Sequence, residues 1–238
     1  MAFATATLDG ARRRLREGLE RFSFRRSRRT RLKLAEFCRE FATDEYTLVV
    51  HCVDLDHRQF FPNAFIVGKR SDRPAHLYTD PTFQDLRLIG SASFGTIVCT
   101  GLLEHIADPH ALAAEFHRIL KPGGRLLLSA SAVFPFHSAP DNYFHFTPYG
   151  LRHLFRGWSE FAVLRGSTAP FETVAVLLQR MYIQCDLFLP LRLLLVLLHY
   201  TVPLLDVFVR RQYDSGSRTA DRATDAFMPA TLHAVIVK

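Results

Sequence analysis

The chain has 238 residues, 48% of them apolar and 22% charged. That balance belongs to a globular protein long enough to bury a core, and it excludes a disordered or fibrous chain. Of the net charge of +7, residues 1–33 hold more than the whole: eleven Lys/Arg stand there against Asp9, Glu17 and Glu20. The high pI therefore belongs to an N-terminal arm, and the rest is close to neutral.

Within the arm, Leu8, Ala11, Leu15, Leu19 and Phe22 recur at helical spacing, which makes an apolar stripe on a basic helix. Such a helix can pack its stripe on the domain, rest on an anionic membrane surface or bind nucleic acid. Nucleic acid is the least expected partner, because the positive charge does not extend beyond the arm. Three acids in the arm argue against an organellar transit peptide. No apolar segment precedes the first arginines, so no secretory signal is expected. Cys38, Cys52, Cys99 and Cys185 form no CxxC pair. Reduced, buried thiols in a cytoplasmic protein are the expectation from that pattern.

From Leu32 to Phe41 the pattern predicts a helix, followed by a polar turn at Thr43–Glu45. Thr47–Val53, Ala64–Gly68, His76–Thr79, Phe94–Thr100 and Arg125–Ala130 are short apolar runs, as expected of parallel strands buried on both faces. Asp108–Leu120 predicts an amphipathic helix that ends at Lys121-Pro122-Gly123-Gly124. Phe161–Arg165 predicts a sixth strand and Leu232–Val237 a last one. Strands alternating with helices predict an α/β fold, a doubly wound, mostly parallel sheet with helices on both faces. On this division 1–33 is the arm and 34–238 one domain.

The domain carries a leucine-rich helical insertion, 174–211. Its charge-free run Leu193–Leu205 is thirteen residues long, broken by Pro203 and flanked by Arg192 and Asp206. A spanning helix needs ~20 apolar residues, so a pair of helices or an apolar lid is expected rather than a membrane span. Core packing, a homodimer interface and a membrane-resting surface all remain open for these leucines. The polar stretch Gln212–Asp225 predicts a surface loop.

The runs Ile97-Val98-Cys99-Thr100-Gly101-Leu102-Leu103-Glu104-His105-Ile106 and Phe116-His117-Arg118-Ile119-Leu120-Lys121-Pro122-Gly123-Gly124-Arg125-Leu126-Leu127-Leu128-Ser129 resemble the class I S-adenosylmethionine-dependent methyltransferases, in particular their type 11 group. His137-Ser138-Ala139-Pro140-Asp141-Asn142-Tyr143 resembles one branch of that group. The resemblance covers about half the chain. It implies a Rossmann-like sheet with an antiparallel C-terminal strand, and S-adenosyl-L-methionine as cofactor. In such a sheet the ligand crevice lies outside the carboxyl ends of the strands. The implied cofactor-binding residues are His51, Cys52, Val53, Asp54, Gly68, Lys69, Asp80, Pro81, Thr100, Gly101, Leu102 and His105.

The chain departs from the family in its cofactor loop. Aligned from Phe61-Pro62-Asn63-Ala64, the family's acid falls on Val49 and its three glycines on His51, Val53 and Leu55; only Asp54 keeps its type. After the second strand, where the family has a ribose-binding acid, stand Gly68, Lys69 and Arg70. Lysine and arginine donate hydrogen bonds and do not accept them, so they suit an anion better than a diol. Gly95 replaces an expected aspartate, while Asp80 falls where the family's adenine-contacting acid lies. Two readings are open. The domain methylates a small-molecule or lipid-like acceptor, O-methylation being favoured, or its crevice has been repurposed for an anionic ligand or a protein partner.

For methyl transfer to a hydroxyl the implied base is His137, with Asp141 to orient it or hold the acceptor and Tyr143 to wall the site. The alternative is a packed aromatic loop. His105 either contacts ligand or caps the turn after strand four. His137, Asp141 and His145 have the i, i+4, i+8 spacing of a helical metal site, but Pro140 and Pro148 preclude a helix. No nucleophile elbow, P-loop or zinc motif occurs, and no metal is expected.

Overall fold

A computed structural model describes residues 29–51, 55–69, 75–79, 83, 86–213 and 218–238. Seven strands form one sheet: β1 (Thr47–His51), β2 (Ala64–Lys69), β3 (Leu77–Thr79), β4 (Phe94–Thr100), β5 (Leu120–Ser131), β6 (Glu160–Gly166) and β9 (Thr231–Val237). Their spatial order is β3-β2-β1-β4-β5-β9-β6. The first five run parallel, and β9 lies antiparallel between β5 and β6. The doubly wound sheet with a reversed C-terminal strand is thus present as expected.

The strands are apolar at nearly every position because both faces of the sheet are covered. Alternation along β4 sends Ile97 and Cys99 into one core layer and Val98 into the other. On one side, helix α1 (Arg29–Glu40) lays Leu34, Phe37 and Cys38 over Val49, Ile66, Leu127 and Val235. On the other, α2 (Pro109–Ile119) and α3 (Pro148–Leu154) bring Leu112, Phe116 and Leu151 against Leu48, Ile97 and Leu128. Asp108 caps α2 by accepting a 3.0 Å hydrogen bond from the Ala111 N–H. α1 begins inside the segment assigned to the arm, and the Arg29 guanidinium reaches the Glu172 carboxylate at 3.6 Å. The rest of the arm, 1–28, lies outside the described residues.

The Lys121–Gly124 segment does end α2, but it also belongs to β5. Leu120 pairs with Phe94 and Arg125 with Thr96, so the residues between them bulge out of the ladder. Gly123 turns the bulge at φ 72. Gly124 must lack a side chain, since a Cβ there would lie 2.9 Å from the Lys121 carbonyl oxygen and 3.0 Å from that of Gly95.

Three corrections concern the last third. The insertion forms α4 (Pro170–Gln184), α5 (Leu189–Thr201) and a 3-10 segment, Val202–Phe208, continuous with α5. Leu189–Phe208 is twenty residues long with mean hydropathy 1.7, enough by length and composition to cross a membrane, where the sequence suggested only thirteen. The flanking charges turn inward and so extend the apolar stretch. Arg192 is buried, donates to the Leu187 carbonyl at 3.0 Å and lies 5.0 Å over the Tyr182 ring. The Asp206 carboxylate accepts from the Phe171 and Glu172 N–H groups at 2.9 and 2.8 Å and so caps α4. Second, Gln212–Asp225 is not wholly loop: β7 (Gln212–Tyr213) and β8 (Ala223–Thr224) pair within it. Third, Cys185 is exposed, whereas Cys38 and Cys99 are buried, and burial pushes the Cys38 thiol up to about 12.

His233 on β9 stacks on Phe37 with ring centroids 4.6 Å apart. Burial, aided by Arg165 and Lys33, pushes its pKa down to about 3. Between that value and the ordinary imidazole range the unfolded chain binds a proton that the native one refuses, so stability falls as pH falls. Urea unfolding of wild type is expected to lose up to ~1.4 kcal/mol per pH unit on this account between about pH 6 and 4. His233→Leu should flatten that slope by about one proton; an unchanged slope would show that His233 titrates normally in the fold.

Candidate active site

The parallel strands end along one edge, and the turns and loops that leave them there shape the site. At the end of β4, Thr100 is buried and its hydroxyl shares a 2.9 Å hydrogen bond with His57 Nε2. Gly101 then adopts φ 55, and its N–H is held by the Ser129 carbonyl at 3.1 Å. Only a residue without a Cβ takes that conformation without strain. The kink starts a 3-10 turn, Leu103–His105, all of it buried. Two residues of β5, Ser129 and Ser131, line the same place.

The loop after β5 folds back over this turn. The Glu104 carbonyl accepts from the Tyr143 N–H at 2.9 Å and the Phe144 N–H at 3.3 Å. His105 Nδ1 meets the Asp141 carbonyl oxygen. His137 Nδ1 lies 3.0 Å from the Pro135 carbonyl oxygen, and its backbone N–H is held by Asn142 Oδ1 at 3.2 Å. The two imidazoles meet edge to face, centroids 4.9 Å apart. Because a carbonyl only accepts, both rings carry a proton on Nδ1, and in the neutral ring this leaves Nε2 with a lone pair. Burial pulls the His137 pKa below the usual imidazole value, with His105 and Arg180 adding to the effect and the Pro135 carbonyl and the Glu104 carboxylate opposing it.

A cavity of about 110 Å3 opens at this point, lined by Gly101, Glu104, His105, Ser129, Ser131 and His137 from the strand ends. Its other walls are Thr30, Arg31 and Leu34 of α1, and Phe134 and Arg180. Arg180, on α4, lies 4.4 Å over the Phe134 ring. Glu104, 3% exposed, accepts from the Ser131 hydroxyl at 2.6 Å through Oε1.

Gly101, His105 and His137 therefore converge on one crevice; Thr100 and Leu102 are fully buried behind it, outside its lining, and Gly68 lies near the end of β2 along the same edge. Tyr143 is half exposed at the rim, its hydroxyl 3.4 Å from Asp141 Oδ1. Asn142, not Asp141, holds the His137 backbone; Asp141 serves His105 through its carbonyl. The segment 132–147 contains no helix, so His137, Asp141 and His145 do not share a helical face. Cys52, Val53, Asp54, Asp80 and Pro81 lie outside the described residues, as do the side chains of His51 and Lys69. Sequence reasoning missed Glu104, Ser131, Arg180 and the start of α1 as site residues. Glu104 had a signal: an acid inside an otherwise apolar turn. Arg180 had none, since its partners come from distant parts of the chain.

A mostly parallel seven-stranded sheet with a reversed last strand, and a crevice at the carboxyl ends, defines the class I methyltransferase fold. The methyltransferase domain family matches residues 11–169, and the chain belongs to it. Among solved structures, a SAM-dependent methyltransferase from Archaeoglobus fulgidus superposes with a TM-score of 0.53 at 13% identity, covering 92% of this chain and 97% of that one. A Haemonchus contortus phosphoethanolamine N-methyltransferase, solved with S-adenosylhomocysteine, gives 0.50 at 13% identity over 87% and 52% of the two chains. Among curated proteins, a ubiquinone biosynthesis O-methyltransferase of Xanthomonas oryzae is 40% identical over 52 residues. That match spans 22% of each chain, so the present protein covers about a fifth of that relative's length.

Gly101, at φ 55, keeps the end of β4 free of a side chain where the cofactor must approach the backbone. Gly101→Ala forces a Cβ into the left-handed region at a cost of ~1 kcal/mol or more. Its urea midpoint should fall at an unchanged m-value, and S-adenosylhomocysteine should bind more weakly. Wild-type behaviour in both would show that the kink is not required.

Proposed function

We propose that the protein methylates an oxygen of a small acceptor with a greasy body, taken from or near a membrane surface. The observation that carries this reading is the apolar hairpin beside the site. α4 supplies Arg180 to the cavity, and Gln184 Nε2 at its end donates to the Phe136 carbonyl at 2.8 Å. The loop that carries His137 and the leucine-rich insertion are thereby tied together. Phe188, Leu197, Leu204, Val207 and Phe208 are 59–79% exposed on that insertion. So large an apolar face on a globular domain marks an interaction surface. The match to an O-methyltransferase over 52 residues supports oxygen as the methylated atom.

S-adenosyl-L-methionine would be held along the strand ends by Gly68, Thr100, Gly101, Leu102 and His105, together with His51, Cys52, Val53, Asp54, Lys69, Asp80 and Pro81. Bound there it supplies a methyl group activated by a sulfonium. What the chain must add is alignment, exclusion of water and a place for the acceptor's proton. His137 provides that place through the lone pair on Nε2, its ring fixed by the Pro135 carbonyl. Phe134 and Phe136 bound the acceptor's path, with Tyr143 at the rim.

Calorimetric titration with S-adenosylhomocysteine tests the cofactor half: saturable binding and a raised melting temperature are expected. His137→Gln should leave that binding intact and slow methyl transfer to a hydroxyl acceptor by about 10²–10⁴-fold. Normal turnover in the variant would remove His137 as base. Binding without transfer to any oxygen acceptor would leave a repurposed crevice instead.

The membrane half is supported by the same hairpin, with the basic stripe-bearing arm as a second contact for anionic lipid. Each exposed apolar side chain is worth ~1.5 kcal/mol or more when buried. Val207→Asp combined with Phe188→Ser should thus weaken sedimentation with phosphatidylglycerol vesicles by at least about tenfold. Deleting 1–28 should make the remaining binding insensitive to salt. Equal binding by all forms would dismiss the surface as a membrane contact.

A further inference from the structure

Glu104 presents an unsettled charge. The residue is 3% exposed, Oε1 is satisfied by the Ser131 hydroxyl, and Oε2 is buried without a hydrogen-bond partner. A buried carboxylate with a bare oxygen is costly unless something cationic or protic completes it. Next to it is a pair of imidazoles with free lone pairs. The ligand atoms of Glu104, His105 and His137 lie within 4.8 Å of one another.

The rings are held in a particular way. His105 donates through Nδ1 to the Asp141 carbonyl and His137 through Nδ1 to the Pro135 carbonyl. Metal-ligating histidines are usually fixed by such a bond from the other ring nitrogen, which sets the tautomer and aims the free lone pair. A packed aromatic loop does not require both rings to be tethered this way beside one carboxylate. The supports also come from three separate places: the turn after β4, the end of β5, and the loop after it.

The geometry points to a divalent-metal site formed by Glu104 Oε2, His105 Nε2 and His137 Nε2, with open positions facing the cavity. Two imidazoles and one carboxylate suit zinc or a neighbouring first-row ion. Ligands ~2.1 Å from a tetrahedral ion stand ~3.4 Å apart, so atoms now within 4.8 Å of one another draw together by at most ~1.4 Å on binding. Half-buried His137, on its loop, supplies that movement. The cavity then places an acceptor oxygen, or a chelating pair of oxygens, on the open positions. This last step rests on the methyl-transfer reading above and modifies it: an ion on His137 Nε2 excludes its use as a free base, and the ion would instead acidify the bound hydroxyl so that its proton leaves to solvent before the oxygen takes the methyl group.

The test uses the full chain, stripped with chelator and titrated with Co²⁺ by visible absorption and calorimetry, with and without S-adenosylhomocysteine. One ion per chain is expected, with absorption bands of a four- or five-coordinate nitrogen and oxygen site, and Zn²⁺ should displace it. His137→Asn, on a surface loop, and Glu104→Gln should each weaken binding by ~10–100-fold. Exposed His145→Asn should not, with circular dichroism confirming the fold of all three. Weak or sub-stoichiometric binding, or binding unchanged in His137→Asn, overturns the proposal. Ion binding is read without turnover, so an intact metal site with no response to S-adenosylhomocysteine would sink only the methyl-transfer reading. The reverse result would sink only the metal site.

Discussion

Parallel pairing of β4 between β1 and β5 is the constraint from which the site hangs. With both faces of these strands covered by helices, their backbone groups have no water to turn to, and every N–H and C=O must be met by a neighbouring strand. That requirement fixes the register Val50–Cys99–Leu128 across the sheet. Once it is fixed, Thr100, Gly101 and Ser129 have no choice but to emerge together at the carboxyl edge. The bulge at Lys121–Gly124 lies at the opposite end of β5, where it takes up the surplus chain without disturbing that edge.

Burial does the rest. The 3-10 turn Leu103–His105 is pressed beneath the loop after β5, and this holds Glu104 and the two imidazoles away from bulk water. Polar groups so placed are strongly coupled to one another, since little solvent screens them. The same chemistry therefore serves proton transfer or an ion, depending on what occupies the lone pair of His137. The apolar hairpin adds a separate capacity: it stays tied to the cavity through Arg180 and Gln184 while its outer face remains uncovered.

Strand positions and the order of elements were legible because a strand buried on both sides has to be written in apolar residues, and each helix in a stripe. Phe94–Thr100 appears in the structure with the limits that its sequence implies. The hairpin was read too short. Arg192 and Asp206 look like stops in a linear hydropathy scan, yet Arg192 is buried against the Leu187 carbonyl and the Tyr182 ring, and Asp206 caps the distant start of α4. In the site, His105 and His137 stood out by type and by their place after strands. Glu104 stood out only as an acid in an apolar turn, and what made it part of the site, its dry surroundings beside two imidazoles, is a property of the fold.

Apart from the direction of the last strand, which only the family resemblance implied, what the sequence alone determined is the alternation of strand and helix and the place of each strand along the chain. These arise from local sterics and from the period of apolar residues, and both are properties of neighbours along the chain. The tertiary structure alone decided which polar groups meet. Glu104 and His105 precede His137 by some thirty residues, and Arg180 stands at greater distance still. Only the folding of the loop after β5 back over β4, enforced by the Glu104 carbonyl and its two N–H donors, brings them to one cavity.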